Sequence, residues 1–173
     1  VRSIPDAYHD GAWLIGICGG LQILVATVSD PLGLESNTRE IAGLGFLPLT
    51  TVMDAEKVLR QSTALREVDN TMLKGYEIHH GQTRFPDDML RHIRDDGKVL
   101  GVEGQRIFAT YLHGVCDDDA FRRTFINEMR QSKGLPPISG VTAVYETEES
   151  LNRLAQHVRE RIDMDAVYKM LDL

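Results

Sequence analysis

Short apolar runs recur along the chain, and each is closed by glycine, proline or charged residues. Ala12–Ile17 and Ile107–Leu112 are nearly uninterrupted apolar runs of strand length, which predicts two buried strands. Phe46–Met53 is rich in Leu, Thr and Val and predicts a third strand. The polar segment Arg84–Arg106 contains an Asp-Asp-Gly turn and further glycines, which favours a hairpin with loops.

One segment, Lys74–Thr83, alternates in character along its length. Successive side chains of an extended strand point to opposite faces, so Glu77 and His79 share one face while Tyr76 and His80 lie on the other. We therefore expect at most one of the two adjacent histidines to face a site, and the other to lie on the surface.

Apolar residues at helical spacing follow Cys18 and continue to Val28. Pro31, three residues further on, ends this helical pattern. A loop-like segment, Pro31–Gly45, comes next. The sequence predicts three further helices: Phe121–Met129 capped by one of Asp117–Asp119, a helix capped by Ser150 after a linker at Ile138–Glu149, and Ala166–Leu171.

Composition narrows the possible function classes. The chain has 173 residues, of which 42% are hydrophobic and 26% charged, and this suits one globular domain with a sizeable core. A net charge of -7 argues against binding to nucleic acid. No run approaches the roughly 18 apolar residues of a membrane span, so we expect no membrane partner. Two cysteines are too few for a disulfide framework and favour a cytoplasmic location.

Cys18 stands between glycines where an apolar run changes to helical spacing. Gly16, Gly19 and Gly20 supply the small residues that a sharp strand-to-helix turn requires, and this is the pattern of a nucleophile elbow. Free N–H groups at the start of the helix would favour the thiolate over the thiol. The alternative is a buried core cysteine in a glycine-rich turn.

His113 directly follows the second buried run. Open α/β sheets place their functional groups at the carboxyl ends of strands, so parallel neighbouring strands would bring Cys18 and His113 together. A thiolate beside an imidazole supports acyl transfer through a thioester. A metal site is the competing use of His79, His80, His113 and Cys116, but their spacing fits no familiar zinc pattern, and we expect no metal.

Five motifs occur in an order that resembles one known family. They are Gly16–Gln22, Asp30–Pro31 with Glu35–Ser36, Gly43–Pro48, Gly75–Gly81 with Thr83, and Thr110–Gly114. Together they look like the glutamine amidotransferase domain of cobyric acid synthases. The related a,c-diamide synthases carry a different sequence at the G-Y-E-I-H block, which separates the two groups.

The resemblance implies an α/β class I glutamine amidotransferase fold of the flavodoxin-like type, with a mostly parallel sheet flanked by helices. Residues 1–137 would form part of this domain, and residues 138–173 a linker and amphipathic helices that pack on it. Cys18 would be the nucleophile and His113 the general base. Gly19, Gln22 and Glu77 are candidates for substrate binding, with the Glu77 carboxylate as partner of an α-ammonium group.

The family's activity implies that ammonia from L-glutamine amidates carboxylates of adenosylcobyrinic acid a,c-diamide, a corrinoid, in cobalamin biosynthesis. Mg-ATP would be used on a separate N-terminal synthetase domain. No cofactor is expected in this chain, which contains no G-x-x-x-x-G-K-[ST] loop. The family's synthetase domain and the first part of its glutaminase domain have no counterpart here. We therefore expect an N-terminally truncated fragment that cannot make cobyric acid alone.

Two residues depart from related patterns. Val115 stands two residues after His113, where many class I glutaminases have an acid. Cobyric acid synthases also lack this acid, so a backbone carbonyl or another side chain would orient His113. Cys116 stands where an aromatic residue is common. The alternatives to this glutaminase are a non-catalytic binding or docking module that retains the fold, and another Cys–His amidotransferase or hydrolase.

Overall fold

The computed structural model describes residues 3–86, 91–140 and 147–172. The apolar patch of the predicted linker, residues 141–145, lies outside the described residues. The elements are, in chain order, α1 (Ile4–His9), β1 (Leu14–Ile17), α2 (Gly19–Leu24), β2 (Val25–Ser29), β3 (Glu40–Ala42), β4 (Leu47–Arg66), β5 (Thr71–Thr83), β6 (Arg91–Asp95), β7 (Lys98–Gly104), β8 (Ile107–Thr110), a 3₁₀ helix (Val115–Asp117), α3 (Asp119–Gln131), α4 (Thr147–Arg159) and α5 (Met164–Met170).

The strands form one mixed sheet in the order β1-β8-β7-β6-β4-β2-β3, and β5 pairs with β4. β1 with β8 and β2 with β4 are the parallel pairs among the described strands, and the remaining described pairs are antiparallel. The α/β architecture agrees with the expected one, but antiparallel pairing is more extensive than in a mostly parallel sheet. The reason is that β4 to β5, β6 to β7 and β7 to β8 are joined by short connections, which fold neighbouring strands into hairpins.

Strand β8 lies between two apolar core clusters because its residues are buried on both faces. Ile107, Ala109 and Tyr111 contact one cluster, and Phe108 and Leu112 contact the other. This agrees with the continuous apolar run in the sequence. The first cluster also contains Leu21, Leu24, Val25, Leu47, Leu49 and Val102, and the second contains Ala64, Leu73, Ile93, Leu100, Val115, Phe121 and Phe125.

The helix after Cys18 is shorter than predicted. It ends at Leu24, and Val25 begins β2, which runs parallel to β4. The side chain of Val25 is fully buried in the first core cluster, and the following residues include β-branched Thr27 and Val28. Tertiary packing of these residues on a sheet therefore overrides the helical spacing.

Two smaller differences concern a loop and a cap. The loop predicted at Pro31–Gly45 includes the short strand β3, which pairs with β2. Ser150 lies inside α4, whose first turn already contains Glu148 and Glu149. Acidic residues in a first turn are stabilised by the helix dipole, so the helix begins earlier than a serine cap would place it. The predicted cap of α3 is confirmed, because Asp118 accepts a hydrogen bond from the N–H of Phe121.

The chain divides into two compact units, residues 1–138 and 139–173. The first contains the whole sheet, and the second contains α4 and α5. The packing of the C-terminal helices on the preceding domain stays a prediction. Among the described residues, no helix combines the length and apolar character needed to cross a lipid bilayer.

Candidate active site

The turn at Cys18 is as sharp as the glycine pattern predicted. β1 ends at Ile17, Cys18 adopts φ 52° and ψ -109°, and α2 begins at the next residue. A positive φ is uncommon for a residue with a side chain and indicates backbone strain. Gly16 is required here, because a Cβ atom on it would lie 2.9 Å from the carbonyl oxygen of Gly20.

Backbone hydrogen bonds tie this turn to β8. The N–H of Cys18 donates to the carbonyl of Thr110 at 2.8 Å, and the N–H of Gln22 donates to the carbonyl of Cys18 at 3.1 Å. Ile17 pairs with Thr110 in the parallel register of β1 and β8. Cys18 and the segment that carries His113 therefore leave the sheet at the same edge.

His113 is held by β5. Its N–H donates to the carbonyl of Tyr76 at 2.8 Å, and the N–H of Tyr76 donates back to the carbonyl of His113 at 3.1 Å. The two rings are stacked, with centroids 5.0 Å apart and planes 10° apart. Gly75 permits this close approach, because a Cβ atom there would lie 2.0 Å from the carbonyl oxygen of His113.

The imidazole of His113 has one unsatisfied group. Its Nε2 atom is buried and has no hydrogen-bond partner among the described residues. Val115, at the position where an acid is common, is 1% exposed and belongs to the second core cluster. The ring is therefore oriented by its backbone hydrogen bonds to Tyr76 and by stacking on the Tyr76 ring.

Cys18 contacts the same strand as His113. Its thiol Sγ lies 3.6 Å from the carbonyl oxygen of Ile78, to which it donates a hydrogen bond. Ile78 is two residues beyond Tyr76, so the contact points of Cys18 and His113 on β5 are about 7 Å apart along the strand. The structure thus brings the two predicted residues to one stretch of β5.

The thiol of Cys18 differs from the expected thiolate. Burial raises its pKa above the ordinary value, the negative charge of Glu35 raises it further, and a hydrogen bond from the Gly19 N–H opposes these effects. The helix that follows has six residues, and its dipole does not overcome the cost of removing the thiolate from water. The resting group is therefore a thiol, and a base must remove its proton before it can attack a substrate.

A cavity of about 290 Å³ lies beside Cys18. It adjoins a second cavity of about 410 Å³, with which it shares Gly19, Gln22, Glu35 and Met53. Gly19 and Gln22, two of the three predicted substrate-binding residues, therefore lie on the wall of the Cys18 cavity. The remaining described residues of that wall are Lys57, Ile78, His79 and His80.

Glu77 lies in the interior, where its side chain is fully buried. One carboxylate oxygen accepts hydrogen bonds from Arg60 at 2.7 Å and Ser62 at 2.6 Å, and the other lies 3.2 Å from Nε2 of His79. Burial alone would raise the pKa of Glu77, but the bonds from His79, Ser62 and Arg60 outweigh it and lower the pKa to about 2. Both oxygens are engaged, and the described lining of the Cys18 cavity does not include this residue.

The adjacent histidines lie on opposite faces of β5, yet both line the Cys18 cavity. His79 is buried, stacks on Tyr111 with ring centroids 3.9 Å apart, and bonds to the carbonyl of Gly81 through Nδ1 at 2.7 Å. His80 donates from Nδ1 to the carbonyl of Asp54 at 2.9 Å. The expectation that at most one of the two histidines would face a site does not hold for this cavity, because residues from both faces of β5 line it.

Three residues near the two candidate catalytic groups were not identified as site residues from the sequence. Glu35 was part of a recognised motif, but nothing local indicates that its loop reaches Cys18. Lys57 gives no sequence signal, since its position depends on an irregularity in β4. Tyr76 was placed on the correct face, but its contact with His113 depends on long-range pairing. Within the described residues, no group of three or more His, Cys, Asp or Glu side chains is arranged to hold a metal ion.

Comparison with known proteins finds a family model and curated relatives that match this chain. The model of the CobB/CobQ-like glutamine amidotransferase domain matches residues 1–121. The chain is 41% identical to a cobyric acid synthase of Brucella anthropi over 98% of its own length and 34% of that protein. It is 38% identical to a cobyric acid synthase of Thermoanaerobacter sp., over 99% of its length and 38% of that protein.

Two further matches concern a longer relative and a solved fold. An adenosylcobalamin biosynthesis bifunctional protein of Leptospira interrogans is 35% identical over 92% of this chain and 19% of its own length. The chain thus spans between 19% and 38% of these three relatives. A crystal structure of a glutamine amidotransferase matches 75% of this chain and 65% of its own, with a TM-score of 0.50 and 14% identity. This match confirms the fold expected from the five motifs.

Proposed function

The chain belongs to the CobB/CobQ-like glutamine amidotransferase family, and on that premise we propose that it hydrolyses L-glutamine through Cys18 and His113. The observation that carries the proposal is the common placement of the two side chains. Each follows one of two parallel neighbouring strands, and both contact β5 within two residues of each other. The cavity beside Cys18 supplies room for a substrate.

The first half-reaction forms a thioester. His113 accepts the thiol proton of Cys18 at Nε2, the imidazole nitrogen with no partner among the described residues, and the sulfur attacks the carboxamide carbon of glutamine. The carbon–nitrogen bond then breaks, and the nitrogen takes the proton back from His113 and leaves as ammonia. Proton removal in step with attack is needed because burial keeps the free thiol protonated.

The second half-reaction releases glutamate. Water gives a proton to His113 as its oxygen attacks the thioester carbon. The carbon–sulfur bond then breaks, and His113 passes this proton to the sulfur, which restores the Cys18 thiol. The N–H of Gly19, which already points at the sulfur, is a suitable donor to the oxyanion that forms in each step. Gln22 on the cavity wall is a candidate hydrogen-bond partner for the substrate.

In the whole protein, we propose that the ammonia amidates carboxylates of a corrinoid, as the name of the cobyric acid synthase relatives indicates. ATP and Mg²⁺ would act on residues outside this chain, which lacks a G-x-x-x-x-G-K-[ST] loop, and no step here passes through them. A reducing, cytoplasmic location is part of the proposal, because both cysteines are free thiols.

Covalent labelling tests the proposal on this chain directly. We expect 6-diazo-5-oxo-L-norleucine, a glutamine analogue with an electrophilic carbon at the amide position, to modify Cys18 stoichiometrically. Peptide mass spectrometry locates the label, and release of glutamate from glutamine measures turnover. Cys18→Ser should abolish both signals.

Cys116→Ser is the matched control, since both cysteines are free and partly buried. It should retain labelling and turnover. Glutamate release by Cys18→Ser, or equal labelling of Cys18 and Cys116, would contradict the nucleophile assignment. A wild-type chain that neither labels nor releases glutamate would support the non-catalytic module instead.

A further inference from the structure

Two opposite charges face the same cavity as the thiol of Cys18. Glu35 and Lys57 both line this cavity of about 290 Å³, and they come from different parts of the chain. Glu35 lies close enough to the thiol for its negative charge to raise the pKa of Cys18. The wall of the cavity therefore carries one acidic and one basic side chain in addition to the thiol of Cys18.

Glu35 is held in place by a buried carboxylate. Asp30 is 5% exposed, and its two oxygens accept hydrogen bonds from the backbone N–H groups of Leu34 at 2.9 Å, Glu35 at 2.8 Å and Ser36 at 3.0 Å. The N–H of Asp30 in turn donates to the carbonyl of Arg39 at 2.7 Å, which closes the loop. The backbone of Glu35 is thus fixed, while its side chain is left to face the cavity.

Lys57 owes its position to a bulge in β4. Met53 pairs with Gly81 and Val58 pairs with His79, so residues 54–57 form a bulge opposite one residue of β5. The hydrogen bond from His80 to the carbonyl of Asp54 fixes the start of the bulge. A bulge redirects the side chains that it contains, and here it brings Lys57 to the wall of the Cys18 cavity.

We propose that Glu35 binds the α-ammonium group and Lys57 the α-carboxylate of free L-glutamine. This rests on the proposed glutaminase function and names the residues that select its substrate. A free amino acid carries both charges on one carbon, whereas glutamine within a peptide carries neither. The charges of Glu35 and Lys57 beside Cys18 therefore favour binding of free glutamine and disfavour binding of a glutamine side chain within a peptide.

Glu35 suits this role better than Glu77. The carboxylate of Glu77 is buried and already accepts bonds from Arg60, Ser62 and His79, so a substrate would have to displace one of them.

The α-ammonium group of the substrate also has an effect on the nucleophile. When it pairs with Glu35, it offsets the negative charge that disfavours the thiolate of Cys18, so the correct substrate eases its own attack.

Steady-state kinetics with shortened substrates test each charge separately. Loss of one charged hydrogen bond costs roughly tenfold in binding, so Glu35→Gln and Lys57→Met should each raise KM for L-glutamine about tenfold and change kcat little. 5-Amino-5-oxopentanoate lacks the ammonium group, and Glu35→Gln should not lower its kcat/KM, because for this substrate the substitution only removes a negative charge that disfavours the Cys18 thiolate. 4-Aminobutanamide lacks the carboxylate, and Lys57→Met should leave its kcat/KM unchanged.

Two exposed residues provide matched controls. Glu40→Gln on β3 and Lys74→Met on β5 make the same charge changes outside the described lining of the cavity, and both should behave as the wild type. Labelling gives an independent readout that does not require turnover. Glu35→Gln should slow the reaction of Cys18 with 6-diazo-5-oxo-L-norleucine but not with iodoacetamide, which has no α-amino acid group.

The outcomes separate this inference from the function on which it rests. Normal labelling and turnover by the wild type, with an unchanged KM in Glu35→Gln and Lys57→Met, would overturn the inference and leave the glutaminase standing. A rise in KM equal to that for glutamine would also overturn it if Glu35→Gln showed it with 5-amino-5-oxopentanoate or Lys57→Met with 4-aminobutanamide, since the residues would then act on the cavity as a whole. A wild type inert to both glutamine and its analogue would overturn both proposals.

Discussion

At the scale of single residues, His113 shows how a general base can be oriented without an acid beside it. In serine proteases a buried carboxylate holds the imidazole in the required tautomer and orientation. Here the corresponding neighbour, Val115, points into the apolar core, and Tyr76 supplies two backbone hydrogen bonds and a stacked ring. Tyr76 is thus a positioning residue for His113. Substitution of its side chain removes the stacked ring and keeps the backbone hydrogen bonds, so the two contributions can be measured separately.

Removal of the ring of Tyr76 should lower turnover without weakening substrate binding. An aromatic pair contributes about 0.5–1.5 kcal/mol, so we expect Tyr76→Leu to lower kcat for glutamine hydrolysis up to roughly tenfold, with KM unchanged. Tyr76→Phe keeps the stacked ring and should restore nearly full kcat. The measurement is steady-state glutamate release by the two variants. Equal loss in Tyr76→Phe and Tyr76→Leu would show that the ring does not position His113.

The sequence identifies the residues of the site whose signal is local. Cys18 is marked by the glycines on either side of it, and His113 by its place after a buried strand. Glu35 and Lys57 are different, because the first depends on a loop closed by Asp30 and the second on a bulge in β4. Such positions result from contacts between distant segments, and no spacing along the chain records them.

At the scale of elements, β5 supports the site by joining it to an ion-pair network in which Glu77 is buried and Arg60 and Asp95 are partly exposed. Glu77 on this strand bonds to Arg60 and Ser62 of β4, and Arg60 also lies 3.3 Å from Asp95 at the end of β6. The same strand contacts Cys18 through Ile78 and His113 through Tyr76. Loss of charge at Glu77 should therefore loosen the hairpin that carries these contacts.

The stability that Glu77 contributes should depend on pH. Its pKa is lowered to about 2 in the folded protein, so its contribution is complete above the ordinary pKa of a glutamate and is lost as pH falls towards 2. A shift of this size corresponds to roughly 3 kcal/mol at neutral pH. Urea unfolding at pH 7, 5 and 3 should show Glu77→Gln least stable relative to the wild type at pH 7, with the difference shrinking in acid.

An exposed acid provides the comparison for this series. Glu40→Gln on β3 removes a surface carboxylate and should leave the pH dependence of the wild type nearly intact. A difference between Glu77→Gln and wild type that stays constant from pH 7 to pH 3 would mean that the ionised form of Glu77 is not what stabilises the fold.

The strands that the sequence predicted most reliably are those with burial on both faces or regular alternation, namely β8 and β5. The segment after Leu24 was misassigned because Val25 and Val28 fit a helical stripe and a strand equally well. The segment forms a strand because it pairs with β4, whose paired residues lie more than twenty residues further along the chain. Local spacing cannot anticipate a partner strand at that separation.

At the scale of the whole molecule, the chain spans 38% and 34% of the two cobyric acid synthases named above. For the amidation activity proposed above for the whole protein, Cys18→Ser should lower the glutamine-dependent rate by at least about 10²-fold. Amidation supported by added ammonia should persist, because ammonia bypasses the thioester. Parallel assays with glutamine and with ammonium chloride, and Cys116→Ser as control, measure this. Equal loss with both nitrogen sources would indicate a structural effect of the substitution.

The protonated state of Cys18 has a consequence beyond the reaction itself. Peroxide attacks cysteine as the thiolate, and the resulting sulfenic acid cannot act as a nucleophile. A thiol whose pKa is raised by burial is protected from such damage while no substrate is present. The strained turn at Cys18 thus keeps the sulfur in reach of an amide, while its environment limits the time that the sulfur spends in the form an oxidant can destroy.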